Sequence, residues 1–176
     1  MLDLDAPLVP GQSAAGYRIG MSIEEIPQRE RALFQPTPIL DYRGQPTGGI
    51  RYRSLNVDLW TDNAGHINQI GIHNGYRGKL LDKIHLGMTA DDIERLIGPC
   101  AEDDEDTLTI RGIRGFCFEV PWQPKRSIPE DFDFTWPELR FAPIDWMFVF
   151  LIDWRIRDPW GSIVLARIPV YKRTNE

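Results

Sequence analysis

The segment Lys83-Ile-His-Leu-Gly-Met-Thr-Ala-Asp-Asp-Ile-Glu-Arg-Leu-Ile-Gly-Pro99 constrains this chain more than any other. Thr89 stands where a helix N-cap belongs, and Asp92, three residues on, can return a bond to the Thr89 amide. Asp91 and Asp92 put negative charge in the first turn, where the helix dipole favours it. Ile93, Leu96 and Ile97 follow at helical spacing, Gly98 can take a left-handed C-terminal conformation, and Pro99 forbids continuation. The spacing predicts a helix of about three turns.

The same pattern occurs earlier. Arg18-Ile-Gly-Met-Ser-Ile-Glu-Glu-Ile26 aligns with His85-Leu-Gly-Met-Thr-Ala-Asp-Asp-Ile93, with Ser22 as cap and Glu25 as its partner. Gly20, Met21 and Ile26 are identical to Gly87, Met88 and Ile93. Capping boxes are common, but the shared Gly-Met ahead of the cap and the shared apolar residue after it favour an internal repeat. Pro27 ends the first helix near Ile26 or starts a second that runs through Leu33, and Pro36 and Pro38 close that possibility.

Between these segments the apolar period changes to two. Arg53, Leu55, Val57 and Leu59 alternate with Tyr52, Ser54, Asn56 and Asp58, and past Arg53 the first set is expected to face the core. Asp62-Asn-Ala-Gly65 is a turn, after which Ile67 to His73 returns as the second arm of a hairpin. Asp41 to Gly49 reads as turn chemistry throughout. After the second capped helix, Thr107 to Arg111 and Gly115 to Val120 form another hairpin, with Leu108 and Ile110 facing Phe116, Phe118 and Val120. Residues 121–145 mix Pro121, Pro124, Pro129, Pro137 and Pro143 with five aromatic residues, which suits a structured insertion better than strands or disorder. Asp145 to Trp154 is apolar on both faces and is expected to be a central or doubly covered strand. Ser162 to Tyr171 is its partner.

The expected architecture is therefore one α+β domain over residues 1–176, an antiparallel sheet with short helices on one face. A first repeat covers residues 11–78 and a second repeat core covers 79–120, each a helix followed by a β-hairpin. The irregular insertion 121–145 and the C-terminal strands 146–171 complete it.

Charge and motifs narrow the function classes. A net charge of −6 over 176 residues disfavours nucleic acid and anionic membranes as partners and permits a basic protein. The N-terminal decapeptide is acidic without an apolar segment, unlike a signal peptide, and the longest apolar run, Trp146 to Ile152, is too short to span a bilayer. With two cysteines, Cys100 and Cys117, read as reduced thiols, a cytoplasmic location is expected. No nucleophile elbow or dinucleotide fingerprint occurs. Gly78-Lys79 fails as a phosphate loop, because His73 stands where the first glycine is needed and Leu80 where Ser or Thr is needed. His66 and His73 would point to opposite faces of a regular strand, and His85 aligns with Arg18 and suits the surface. Cys100 and Cys117 lack zinc-site spacing. No catalytic residue, metal or cofactor is assigned.

Two sets of residues suit a protein partner. The run Glu102, Asp103, Asp104, Glu105 and Asp106 is a solvated loop or a surface that steers a basic partner, raising association rate more than affinity. Trp122, Trp136 and Trp160 lie in loops, where they either pack the insertion on the sheet or anchor an interface. Trp146 and Trp154 are expected in the core.

Leu-Gly-Met-Thr-x-x-Asp-Ile-x-x-Leu-Ile-Gly-Pro, followed by a polar loop and a hairpin, resembles the repeat of the β-lactamase inhibitor protein and BamE/SmpA lipoprotein group. The resemblance covers residues 84–120 well, 16–73 loosely and 121–176 not at all. It implies a sheet covered by small helices and a non-enzymatic protein that acts by binding proteins. The lipoproteins' export signal and lipidated cysteine have no counterpart here. By type, the chain is also similar to cytosolic immunity proteins that neutralise a bacterial toxin, possible partners being basic toxin domains. An assembly adaptor or cargo chaperone is the alternative, and an enzyme built on scattered carboxylates is a third.

Overall fold

A computed structural model describes residues 1–41, 43–102, 108–119 and 143–150. Its strands are β1 (Ser13–Ala14), β2 (Tyr17–Arg18), β3 (Gln35–Leu40), β4 (Pro46–Arg53), β5 (Val57–Thr61), β6 (Ile67–Ile72), β7 (Cys100–Glu102), β8 (Leu108–Ile110), β9 (Phe116–Glu119) and β10 (Trp146–Phe150). The helices are α1 (Gln28–Arg31) and α2 (Ala90–Leu96), with a 3-10 turn at Ile23–Glu25. β1 and β2 pair as a small hairpin, and the other eight strands form one sheet in the order β3-β4-β5-β6-β10-β9-β8-β7. Its pairings are antiparallel throughout.

This corrects the α+β expectation. The protein is mostly antiparallel β-sheet, and helix is a minor component. Both capping boxes form; the first makes no α-helix of its own, and the second makes the expected helix between Thr89 and Gly98, at about two turns instead of three. At Ser22, the side chain accepts from the Glu24 amide and Glu25 accepts from the Ser22 amide. Pro27 follows at once, so only a single 3-10 turn precedes the four-residue α1. At Thr89 the reciprocal bonds to Asp92 are both 3.1 Å, and α2 ends at Leu96, ahead of Gly98 at φ 139°. Hydrogen bonds from the backbone and side chain of Thr89 hold the Asp92 carboxyl below its ordinary range. Thr89→Ala is expected to cost about 1 kcal/mol in a denaturant titration, through loss of this cap.

The helix-then-hairpin unit is corrected as well, because each capped segment is followed by a four-stranded meander. Sequence reasoning missed the β1–β2 hairpin, β7 and β3, the last of which runs through Pro36 and Pro38. Proline has no N–H for the ladder, so these positions must be the ones whose amides would point away from β4. That is possible only at an edge, and it leaves the outer rim of β3 short of donors for another strand. Ile50 to Leu59 is also not one strand. Ser54 folds it into a tight turn, its Oγ bonded to the Val57 carbonyl and its N–H to the same oxygen. Leu55, expected in the core, is 76% exposed at this turn.

The two Gly-Met segments perform the same task. Gly20 N–H donates to the Ile67 carbonyl at 2.7 Å and Ile67 N–H to the Met21 carbonyl at 2.9 Å. Gly87 N–H donates to the Ile144 carbonyl and Ile144 N–H to the Met88 carbonyl, both at 2.8 Å. Ile67 opens β6 and Ile144 lies two residues ahead of β10, the two central strands, so each segment pins the last strand of its own meander. Gly20 and Gly87 have φ of 82° and 87°, and a Cβ at either would meet nothing within 4 Å. Glycine is required there for left-handed backbone, not for space.

The main core lies on one face of the sheet. Val57, Leu59, Ile70, Ile72, Phe116, Phe118, Met147 and Val149 point into it from the strands, met by Tyr17, Ile23, Ile26 and Ile93. Tyr17 is buried with its hydroxyl donating to Glu30 at 2.7 Å, and burial, then Glu30, push that hydroxyl well above its usual pKa. A smaller cluster, Ile39, Trp60, Cys117 and Phe148, sits on the opposite face with Trp146 and Phe150 packed against it. The central strands thus bury side chains on both faces, and β5 is buried along its whole length.

Candidate functional site

Of the residues singled out from sequence for partner binding, Glu102 ends the edge strand β7. Asp103, Asp104, Glu105, Asp106, Trp122, Trp136 and Trp160 lie outside the described residues, as do Trp154, the expected insertion as far as residue 142 and the strand expected over Ser162 to Tyr171. The chemistry that the structure does bring together is on the second face of the sheet.

Antiparallel register decides which side chains share that face. Arg53 pairs with Asp58, Asp58 with Gly71, Gly71 with Phe148 and Phe148 with Cys117. One row along, Arg51 pairs with Trp60, Trp60 with Gln69 and Gln69 with Phe150. Side chains directly opposite on neighbouring strands lie side by side. Continuous alternation from Tyr52 to Leu59 would put Arg53 on the side of Val57. The turn at Ser54–Asn56 resets the phase, and Arg53 joins Asp58 instead.

Asp58 is the hub. Its side chain is 2% exposed. Oδ2 accepts from Arg51 Nε at 2.8 Å and Nη2 at 2.6 Å, with Arg53 Nε 3.9 Å away. Oδ1 accepts from the Ser54 amide at 3.2 Å and faces His73 Nε2 at 3.3 Å. Burial alone would raise this carboxyl. The hydrogen bond with His73 and the charge and hydrogen bonds of Arg51 outweigh it and hold the group below the ordinary carboxylate range. Asp58 is therefore an ionised, fully engaged acceptor and is poorly placed to act as a general base.

Aromatic rings frame the ionic group. His73 stacks on Trp146 with centroids 3.9 Å apart, and Trp146 stacks on Phe148 at 5.6 Å. Trp60 meets Phe148 edge-on at 6.0 Å. The Arg51 guanidinium carbon lies 4.7 Å from the Trp60 centroid and 5.9 Å from that of Trp146, within cation–π range. Gly71 makes the arrangement possible. A Cβ there would come within 2.8 Å of the Trp60 ring and 3.1 Å of Phe148.

His66, exposed beside Asp62, and His85, whose Nδ1 lies 2.8 Å from the Leu86 carbonyl, are remote from this group. Among the described residues no group of three His, Cys, Asp or Glu is placed to hold a metal ion, and no helix is long and apolar enough to cross a membrane. The sequence signal for the site was present but undecodable. Arg51 and Arg53 two apart, and Asp58 and Trp60 two apart, are face patterns whose common side depends on where the intervening turn falls. Comparison with family models, with curated proteins and with solved structures finds no match for this chain.

Proposed function

We propose that this chain is a non-enzymatic inhibitor that binds another protein, an immunity-type protein that neutralises a cognate bacterial toxin in the cytoplasm. The observation that carries the reading is the second face of the sheet. Arg51, Arg53, Trp146 and Phe150 are partly open there, anchored from beneath by buried Asp58, Trp60 and Phe148. Tryptophan and arginine are the side chains that most often dominate interface energies, and a rigid sheet presents them with little ordering left to do. The engagement of Asp58 with Arg51 and His73 favours a fixed recognition surface over a proton-transfer site. The acidic run Glu102 to Asp106 adds steering toward a basic toxin domain.

The test begins with the protein that co-purifies from the native cell, whose toxicity should be relieved by co-expression of this chain. Binding kinetics at two ionic strengths then separate the two surfaces. Trp146→Ala is expected to speed dissociation, with a loss of about 2 kcal/mol or more. Neutralising Glu102, Asp103, Asp104, Glu105 and Asp106 together is expected to slow association and flatten its salt dependence, because exposed charges act at long range and are screened. If both variants keep wild-type rates, neither surface is the interface and the reading fails.

A further inference from the structure

We propose that Arg51 and Arg53 form a carboxylate-binding site on the second face of the sheet, and that its occupant is the side-chain carboxylate of an Asp or Glu on the protein partner. The proposal deepens the protein-binding reading above and rests on it. Its starting point is a local imbalance of charge. Two guanidinium groups on one face of β4 share a single carboxylate, and that carboxylate is already fully engaged. Asp58 Oδ2 takes both Nε and Nη2 of Arg51, while Oδ1 is occupied by the Ser54 amide and faces His73. Arg53 is left 3.9 Å from Oδ2, too far for a hydrogen bond.

The geometry of Arg51 leaves a donor edge free. Asp58 uses the side-on edge of the guanidinium, Nε with Nη2. The end-on edge, Nη1 with the second hydrogen of Nη2, makes no bond among the described residues, and the side chain is 26% exposed. Trp60 and Trp146 hold the group in place as rings at 4.7 and 5.9 Å, so its rotamer freedom is restricted before any ligand arrives. Arg53 is two residues along the same strand on the same face, roughly 7 Å away at the backbone. Its side chain is 59% exposed and can swing toward Arg51. A carboxylate lying between them would take the end-on fork of Arg51 and a second fork from Arg53, the planar geometry that arginine recognises best.

Charge and neighbours select the occupant. Two arginines less one aspartate leave a single positive charge, which suits a carboxylate better than a doubly charged phosphate. Thr37 pairs with Arg51 and Gln35 with Arg53 on the edge strand, both exposed, so a hydroxyl and an amide flank the pair. Half-buried Trp146 and Phe150 supply apolar contact beyond it. A polar flank on one side and aromatic rings on the other match a side chain projecting from a protein surface.

The site can be read without the partner, by titrating N-acetyl-glutamate methylamide into the whole protein at constant ionic strength. The arginine Nε–H and Trp146 indole N–H resonances report it by NMR. A saturable shift at Arg51 and Arg53 is expected, weakened about tenfold or more in Arg53→Ala and partly restored in Arg53→Lys. Arg53 is largely solvent-exposed, so these variants should fold, and near-ultraviolet circular dichroism checks that they do. No saturable shift, or the same shift with sodium chloride, overturns the site even where Trp146→Ala has shown this face to be the interface. Tighter binding of N-acetyl-phosphoserine methylamide, titrated in parallel, than of the glutamate probe overturns the choice of carboxylate. With the partner in hand, Arg53→Ala should weaken the complex about tenfold, and replacing one acidic residue of the partner should make that variant's effect vanish. An unchanged partner affinity in Arg53→Ala overturns the assignment of the occupant.

Discussion

Phe118→Ala is expected to lower the unfolding free energy by about 3–5 kcal/mol. Phe118 is fully buried, and in the sheet it stands between Leu108 on β8 and Met147 on β10. Its ring lies 6.1 Å from that of Phe116. Truncation removes the transfer free energy of the ring and leaves a cavity between strands whose backbones are held by ladders on both sides. Collapse into that space is therefore restricted, which places the cost toward the upper end of the range. Urea titration of the variant against Thr89→Ala gives the comparison, since the cap is worth about 1 kcal/mol. Losses of equal, small size would mean that β9 is not the centre of the second meander.

Asp58→Ala is expected to cost about 3 kcal/mol at neutral pH. The change leaves Arg51 and His73 facing each other's surroundings without their shared acceptor, and it frees the Ser54 amide at the turn into β5. Because the Arg51 side chain keeps some access to water, the figure belongs at the low end for a broken buried pair. The same group should govern acid stability. Folding holds the Asp58 carboxyl below its unfolded value of about 3.9, so its ionisation favours the folded state. That contribution is complete above about pH 4 and disappears as pH falls through the folded value. Wild type should therefore lose stability more steeply than Asp58→Ala on acidification below pH 4, measured by denaturant midpoints at a series of pH values. Parallel curves would show that Asp58 is not the coupled group.

What could be read from the chain itself was what depends on neighbours a few residues away. Ser22 with Glu25 and Thr89 with Asp92 close their boxes because every atom involved lies within one turn, whatever the rest of the fold does. Gly20, Gly87 and Gly98 take left-handed backbone where the sequence placed a turn or stop. The apolar runs at β6, β8, β9 and β10 are strands because alternating or doubly apolar patterns have few other ways to be buried. How much helix would follow each cap was less legible, because capping starts a helix without setting its length. Pro27 cuts the first to a single 3-10 turn, and the second ends ahead of Gly98 after about two turns.

Tertiary structure alone decided which strands lie together and which side each residue faces. Nothing within reach of Gly20 or Gly87 in sequence names Ile67 or Ile144 as its partner, yet those bonds fix the two central strands. The prolines of β3 look like strand breakers until an edge removes the need for their missing amides. The Ser54 turn shifts the face pattern by one step, and that shift brings Arg51, Arg53, Asp58 and Trp60 to one side and turns Leu55 out to solvent. His73, the residue after β6, and Trp146 of β10 then join them. The physical reason is that capping energies are local, of order 1 kcal/mol, and the same in many folds. Strand order and facing are instead chosen by the total area buried and the polar groups satisfied across the whole sheet, a sum that no single segment contains.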